Sequence, residues 1–261
     1  MQPDVLNPHP LAKASASELN AVFRKGWSDP QRVQGWVKSG LNSEFLDPDC
    51  REAWKSTLWR AVADVPAGPV LDVGTGPGTL SLMWAELGFA VTGVDFSPTM
   101  LEMAQLIAGE RGTRAKFLEG DAEALPFQGE QFTIVSSRFL LFTLPNPGKA
   151  IRRWVELLQP GGALVIVGHH LNHGGGDKPS SPPRQEIRPG WQPDAEYKEA
   201  LDQLPFLDHK EGHVRVAMEA AGLRDITSVP VDDLLAARQH YASLHEDRKS
   251  DAPPYVLVGR K

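Results

Sequence analysis

The sequence predicts an α/β protein, with a parallel sheet lying between helices and a helical cap at its N-terminal end. Three observations predict it. From Pro69 onward, short apolar runs alternate with helical patterns. The first of these runs ends in a turn holding Gly74, Gly76 and Gly78. Residues 1–65 lack the alternation and read as helices rich in aromatics: Phe23, Trp27, Trp36, Phe45, Trp54 and Trp59. The pattern changes near Gly68, so residues 1–65 are expected to form the cap and residues 66–261 the main domain.

The elements follow in order. Val70–Val73 is a short apolar run ending at Gly74, the signature of a buried strand. Thr79 to Leu87 reads as a helix stopped by Gly88. Ala90 to Val94 is a second strand. Ser97 then caps a helix with Pro98 in its first position and an apolar face of Met100, Met103, Ala104 and Ile107. Ala115–Leu118 and Phe132–Val135 are the third and fourth strands. Asn146-Pro147 opens a helix whose face carries Ala150, Ile151, Trp154, Leu157 and Leu158, and Pro160-Gly161-Gly162 is expected to end it. Ala163–Val167 is the fifth strand. Strands and helices in this alternation imply βαβ units with right-handed crossovers. Residues 169–207, with Gly174-Gly175-Gly176, a Pro-rich stretch to Pro193 and an amphipathic piece around Tyr197–Leu204, interrupt the alternation and read as a lid, a binding loop or disorder. A helix around Val214–Ala221, an extended run Ile226–Val229, a helix over Leu234–Leu244 and a final run Tyr255–Val258 complete the chain.

Composition narrows the function. The 261 residues are 41% hydrophobic and 23% charged, enough to bury a core without disulfides or metal. The single cysteine, Cys50, excludes an intrachain disulfide and fits a reducing compartment. A net charge of −6 argues against binding a nucleic-acid backbone, which requires clustered Lys and Arg. The start of the chain lacks the basic and apolar regions of a signal peptide, and no run approaches the roughly 18 apolar residues of a membrane span. A soluble, cytoplasmic protein is the expectation.

The strand ends carry the chemistry. Glycines in the turn after the first strand let the backbone bend sharply and approach a ligand. Asp95 ends the second strand, 21 residues after Gly74, where a carboxylate can accept hydrogen bonds from both hydroxyls of a ribose. Gly120-Asp121-Ala122 ends the third strand and Ser136-Ser137-Arg138 the fourth. In an open α/β sheet these loops line one crevice. The dinucleotide fingerprint G-x-G-x-x-G would need glycine at position 79, which is Thr79, so a nicotinamide cofactor is disfavoured.

This ensemble resembles the class I S-adenosylmethionine-dependent methyltransferases, in the small-molecule branch that includes the ubiquinone and menaquinone enzymes. The resemblance rests on Val70–Gly78, on Asp95–Ala104 (D-x-S-x-x-M-L-x-x-A), on Gly120–Phe127 and on Leu157–Gly162, and is dense over residues 68–168. It implies a Rossmann-like, seven-stranded, mostly parallel sheet, with Tyr255–Val258 as an antiparallel strand. It implies S-adenosyl-L-methionine as cofactor and S-adenosyl-L-homocysteine as product. Gly74, Gly76 and Gly78 would approach the methionine portion, with Asp72 helping to position its amino group. Asp95 would hold the ribose, and Phe96 and Met100 would flank the adenine. Asp121 would meet the adenine amino group and the Ala122 N–H a ring nitrogen, with Ser137 also placed at the cofactor.

Two features depart from the family. Where its fourth strand carries Asp, this chain has Thr133, and Phe139–Thr143 holds no His. Amino-methylating nucleic-acid enzymes carry a [DNS]-P-P-[YFW] motif after strand four; here Ala252-Pro253-Pro254-Tyr255 lies near the C-terminus and reads as a turn. A small-molecule acceptor is therefore expected, with no nucleic-acid or membrane partner.

Candidates for handling the acceptor are His169 and His170, either of which could serve as base, and Arg138, which could pair with an acidic group or lie in a surface ion pair. His169, His170 and His173 lack a regular scaffold or a completing Cys or Glu, so no metal site is assigned. Trp27, Trp36 and Trp191 could form a flat lid over the acceptor, whereas Trp54 and Trp59 are expected to pack against the sheet. Alternatives left open are a catalytically silent scaffold or partner subunit with this fold, and a non-methyl reaction of the same cofactor.

Overall fold

The computed structural model describes residues 14–37, 47–169, 193–206, 210–245 and 253–261. Its centre is a seven-stranded sheet of order β3-β2-β1-β4-β5-β7-β6, where β1 is Val70–Val73, β2 Val91–Asp95, β3 Lys116–Glu119, β4 Phe132–Arg138, β5 Leu158–His169, β6 Arg224–Ser228 and β7 Pro254–Arg260. Strands β1 to β5 pair in parallel, and β7 runs antiparallel between β5 and β6. The order reverses between β1 and β4, and such a switch point opens a crevice at the C-terminal strand edge.

Nine helices stand among the described residues. They are α1 Ala16–Trp27, α2 Pro30–Val37, α3 Pro48–Val62, α4 Thr79–Glu86, α5 Pro98–Glu110, α6 Pro147–Leu157, α7 Ala195–Leu201, α8 Glu211–Ala220 and α9 Asp232–Leu244. None is long and apolar enough to cross a membrane. The strands alternate their apolar side chains between two helical layers, as a period of two requires. Leu71, Val73, Leu164, Ile166 and Leu257 pack with Trp154 and Ile151 of α6 and Val214 and Met218 of α8. Val70, Ile134, Val165, Val256 and Val258 pack on the other side with Trp54 and Leu58 of α3, Trp84 of α4 and Leu234 of α9.

Several expectations shift. Helix α3 falls within the stretch read as cap, yet it is built into one layer of the sheet domain. Helices α1 and α2 are what lies over the strand ends. Trp54 is buried as expected, but Trp59 is 52% exposed. Five positions along a helix turn through 500°, which leaves two side chains about 140° apart, too far to share one buried stripe. Pro160-Gly161-Gly162 does not separate helix from strand. Helix α6 ends at Leu157, and β5 starts at once, pairing Leu158 with Phe132 before the register jumps to Ala163 opposite Ile134. The expected lid, 169–207, holds α7 in its described part.

Helix α1 opens with a capping box. The Ser15 hydroxyl accepts from the Glu18 N–H, and the Glu18 carboxylate accepts from the Ser15 N–H at 2.7 Å. The cap is tied to the domain at the start of α5. Ser97 Oγ donates to the Trp27 carbonyl at 2.8 Å, and Thr99 Oγ1 to the Ser28 carbonyl at 3.0 Å. Helix α7 returns to pack on α1 through Leu19, Phe23, Tyr197, Ala200, Leu201 and Leu204.

Candidate active site

The site begins with the turn after β1. Gly74, Gly76 and Gly78 take φ of 68°, 54° and 82°, in the left-handed region that favours glycine. At Gly74 a Cβ would also lie 2.6 Å from the Leu140 side chain, so the turn and the loop after β4 touch only because no side chain intervenes. At Gly76 the nearest atom to a Cβ would be the Met100 sulfur, 4.0 Å away, so this residue borders open space.

Beneath the turn lies Asp72, 1% exposed. It accepts from Ser81 Oγ at 2.9 Å and Ser136 Oγ at 3.1 Å, and Trp84 Nε1 donates to Ser136 Oγ at 3.0 Å. Burial raises its pKa to about 6 against the lowering pull of those hydroxyls. Beside it, Asp95 accepts from the Gly76 N–H and the Ser97 N–H, each at 2.9 Å. Burial raises Asp95 to about 6 as well, with the nearby Asp72 charge adding to the rise. A carboxylate offers about four acceptor positions, so Asp95 keeps capacity beyond these backbone hydrogen bonds. The Gly120 N–H donates to the Asp95 carbonyl at 3.0 Å, which sets the end of β3 beside the end of β2.

These groups border a partly open cavity at the switch point. The floor is Asp72, the turn Gly74–Pro77 and Asp95; one wall is Phe96 and Met100 and the other Arg138, Phe139 and Leu140. Trp27 and Trp36 close the top, meeting edge to face with ring centroids 5.4 Å apart.

Of the residues expected at the site, Trp27, Trp36, Asp72, Gly74, Gly76, Asp95, Phe96, Met100 and Arg138 border this cavity. Gly78 caps α4 and faces Ala104 and Phe117 instead. Asp121 stands on the far side of Phe96, in a groove under Asn20 and Arg24 of α1, and accepts from the Glu123 N–H. Ala122 packs toward the core, and its carbonyl accepts from Trp154 Nε1. The Ser137 hydroxyl donates to the Val73 carbonyl at 2.9 Å, tying β4 to β1 outside the cavity. His169 does not border the cavity; its ring sits edge-on to Phe139, with centroids 4.8 Å apart. The Arg138 guanidinium lies 4.4 Å from the Phe139 ring and 5.7 Å from that of Trp54, in a wall of rings. His170, His173 and Trp191 lie outside the described residues. No group of three metal-ligating side chains occurs among the described residues.

Position 133, where the family's Asp is replaced, proves to be remote. Thr133 is at the start of β4, with its N–H and hydroxyl turned to the Pro69 carbonyl, at the opposite sheet edge from the cavity. Sequence reasoning missed Phe139, a non-glycine residue with φ of 55° that divides this cavity from a smaller apolar one near Tyr255. A strained aromatic directly after a strand leaves no composition signal. It also missed Arg32, whose partners come from distant parts of the chain.

A crevice at this switch point, lined by a glycine turn and a strand-end carboxylate under an antiparallel β7, defines a class I methyltransferase fold. Comparison with known proteins agrees. Residues 71–166 match the family described as "Methyltransferase domain". The demethylmenaquinone methyltransferase of Renibacterium salmoninarum is 34% identical over 130 residues, which are 50% of this chain and 53% of that one. The chain spans about half the length of the curated relatives it matches. Among solved structures, phosphoethanolamine N-methyltransferase 2 of Haemonchus contortus with S-adenosyl-L-methionine superimposes with a TM-score of 0.64 at 17% identity. It covers 97% of this chain and 61% of that one. Magnesium protoporphyrin IX methyltransferase from Synechocystis PCC 6803 with bound SAH gives 0.59 at 17% identity, covering 93% and 99%. These two likenesses establish the fold.

Proposed function

We propose that the protein is an S-adenosyl-L-methionine-dependent enzyme that moves a methyl group to a small-molecule acceptor, as a cytoplasmic protein whose α1–α2 cap and 169–207 insertion cover the acceptor. The observation that carries this is the convergence of the Gly74–Pro77 turn and the Asp95 carboxylate on one cavity. The cavity fits the cofactor: Gly76 faces open space, Asp95 keeps acceptor positions free, and Phe96 and Met100 offer apolar surfaces for a base.

When bound, S-adenosyl-L-methionine supplies a sulfonium-activated methyl group. The chain's part is then to bind, orient and dry the site. Asp95 holds the ribose hydroxyls, and the Gly74–Gly78 backbone admits the methionine portion. Asp72, spent on Ser81 and Ser136, stiffens the floor beneath that portion. Asp121 and Ala122, beyond Phe96, serve the adenine edge. Trp27 and Trp36 exclude water and present flat apolar surface to the acceptor, and Arg138 at the wall favours an acceptor bearing an anionic group. Holding the reacting atoms in line supplies much of the barrier reduction, so no protein nucleophile is needed. A base is needed only where the acceptor must lose a proton. His170 remains the candidate for that step, and His169 could share it only by leaving Phe139.

Calorimetry with S-adenosyl-L-homocysteine tests the reading. Binding in the micromolar range supports it, and no binding at millimolar ligand refutes it. Incubation of the full chain with methyl-labelled cofactor and a panel of phenolic, quinol and amine acceptors then distinguishes methyl transfer from another use of the same pocket.

A further inference from the structure

The roof of the cavity is held from outside. Arg32, on α2, is 6% exposed, and its guanidinium carbon sits 3.6 Å from the centroid of the Trp27 ring. The same carbon is 4.5 Å from the Tyr197 ring, and Nη2 donates to Tyr197 Oη at 2.6 Å. Tyr197 belongs to α7, 165 residues further along the chain, and meets Phe23 of α1 edge-on at 5.3 Å. Gly26 makes this stack possible, since a Cβ there would lie 2.6 Å from the Tyr197 ring.

The contacts continue inward. Trp27 touches Trp36 across the top of the cavity, and its carbonyl accepts from Ser97 Oγ. The Ser97 N–H donates to Asp95. A contiguous set of stacked rings and hydrogen bonds thus joins α7 to the carboxylate assigned to the ribose. A guanidinium removed from water is costly, and an aliphatic side chain would pack two helices at less cost. What a planar cation adds is orientation: stacked between two rings and donating to a hydroxyl, it fixes the tilt of the indole, which neither Met nor Lys reproduces.

We propose that Arg32 is a positioning residue that locks α1 and α2 to α7 through the Trp27–Arg32–Tyr197 stack, holding the aromatic roof shut over the adenosyl ligand and slowing its escape. This rests on the functional reading above for the identity of the ligand. The lock itself can be read without any ligand.

The test uses the full chain with Arg32→Met, Arg32→Lys and Tyr197→Phe. Backbone hydrogen exchange is measured without ligand, and the association and dissociation rates of S-adenosyl-L-homocysteine by stopped flow. In Arg32→Met, exchange across 16–37 and 195–201 is expected to rise together by about tenfold while β1, β4 and β5 stay unchanged, because a desolvated cation–aromatic stack is worth about the equivalent of tenfold. Dissociation should quicken by about the same factor with association unaltered. Tyr197→Phe, which keeps the ring and loses the hydroxyl, should show about a threefold rise, and Arg32→Lys should fall between the two. Wild-type exchange in 195–201 of Arg32→Met overturns the proposal, as does equal quickening in β1, β4 and β5. If Arg32→Met fails to fold, Tyr197→Phe decides by the same criteria. If the wild-type chain binds no S-adenosyl-L-homocysteine, the functional reading falls, and the exchange rates alone still decide whether the lock exists.

Discussion

Across the cavity, the turn Gly74–Gly78 faces the pair Trp27–Trp36, and the two sides are made in different ways. The floor comes from residues close in sequence to strand ends; backbone conformation and two buried carboxylates set its shape. Asp95 is fixed there by the N–H groups of Gly76 and Ser97. The roof pairs two tryptophans nine positions apart, braced by an Arg32–Tyr197 contact that spans 165 positions, and stacking sets its shape. A floor of this kind is intolerant of any change in backbone geometry. A roof of this kind tolerates change but loses its grip gradually. The contrast teaches that the floor decides whether the ligand is recognised and the roof decides how long it stays.

Breaking the floor should have the largest effect. In Gly74→Val, a β-branched side chain is forced to φ of 68° and into Leu140. Backbone strain and overpacking together should cost about 3 kcal/mol of stability, read from chemical denaturation. Next comes Asp95→Ala, which should weaken S-adenosyl-L-homocysteine by about 1.5–3 kcal/mol, roughly 10- to 150-fold, in calorimetry. Asp95→Asn, which keeps an acceptor oxygen, should lose less.

Acid should act on the floor through Asp72 and Asp95. Asp72 and Asp95 stand near 6 in the folded protein against an ordinary 3.8, so the folded chain binds the extra protons between those values. The contribution of these two carboxyls to folding stability should therefore decline as pH rises from about 4 to about 6, since they hold fewer protons in the unfolded chain in that window. Ligand affinity should run the other way. Below about pH 6 a protonated Asp95 loses acceptor capacity, and the dissociation constant should rise by up to about tenfold per pH unit. Parallel denaturation and calorimetry across this range check both slopes. The smallest effect belongs to the roof: Trp36→Ala should cost about 0.5–1.5 kcal/mol of ligand affinity, with the apparent pH midpoint of binding unchanged.

The same contrast explains what was legible in the sequence. Val70–Val73 and the glycines after it announce themselves by an apolar run and by residues that admit positive φ. Asp95 follows because it ends a run of strand character, whereas Asp121 lies two positions past β3 in a separate groove; Tyr255–Val258 reads as a strand and falls within β7. Asp72 was readable in position but not in partners, since nothing local shows that Ser81 and Ser136 would take both of its oxygens. Ser137 reads as a site hydroxyl from its place after a strand, yet its face of β4 turns it to Val73. Trp27 and Trp36 were visible as aromatics, whereas Arg32 was not, because its meaning depends on Tyr197 arriving from α7. Trp59 looked like a core residue and is half exposed, since composition does not reveal which side of a helix a tryptophan occupies.

The measurement that bears most directly on the central claim is a crystal structure of the full chain with S-adenosyl-L-homocysteine. The ribose hydroxyls are expected within hydrogen-bond distance of the Asp95 carboxylate, the homocysteine portion along the Gly74–Gly78 backbone, and Trp27 and Trp36 above them. Ligand bound elsewhere on the molecule, with Asp95 still turned only to Gly76 and Ser97, would contradict it.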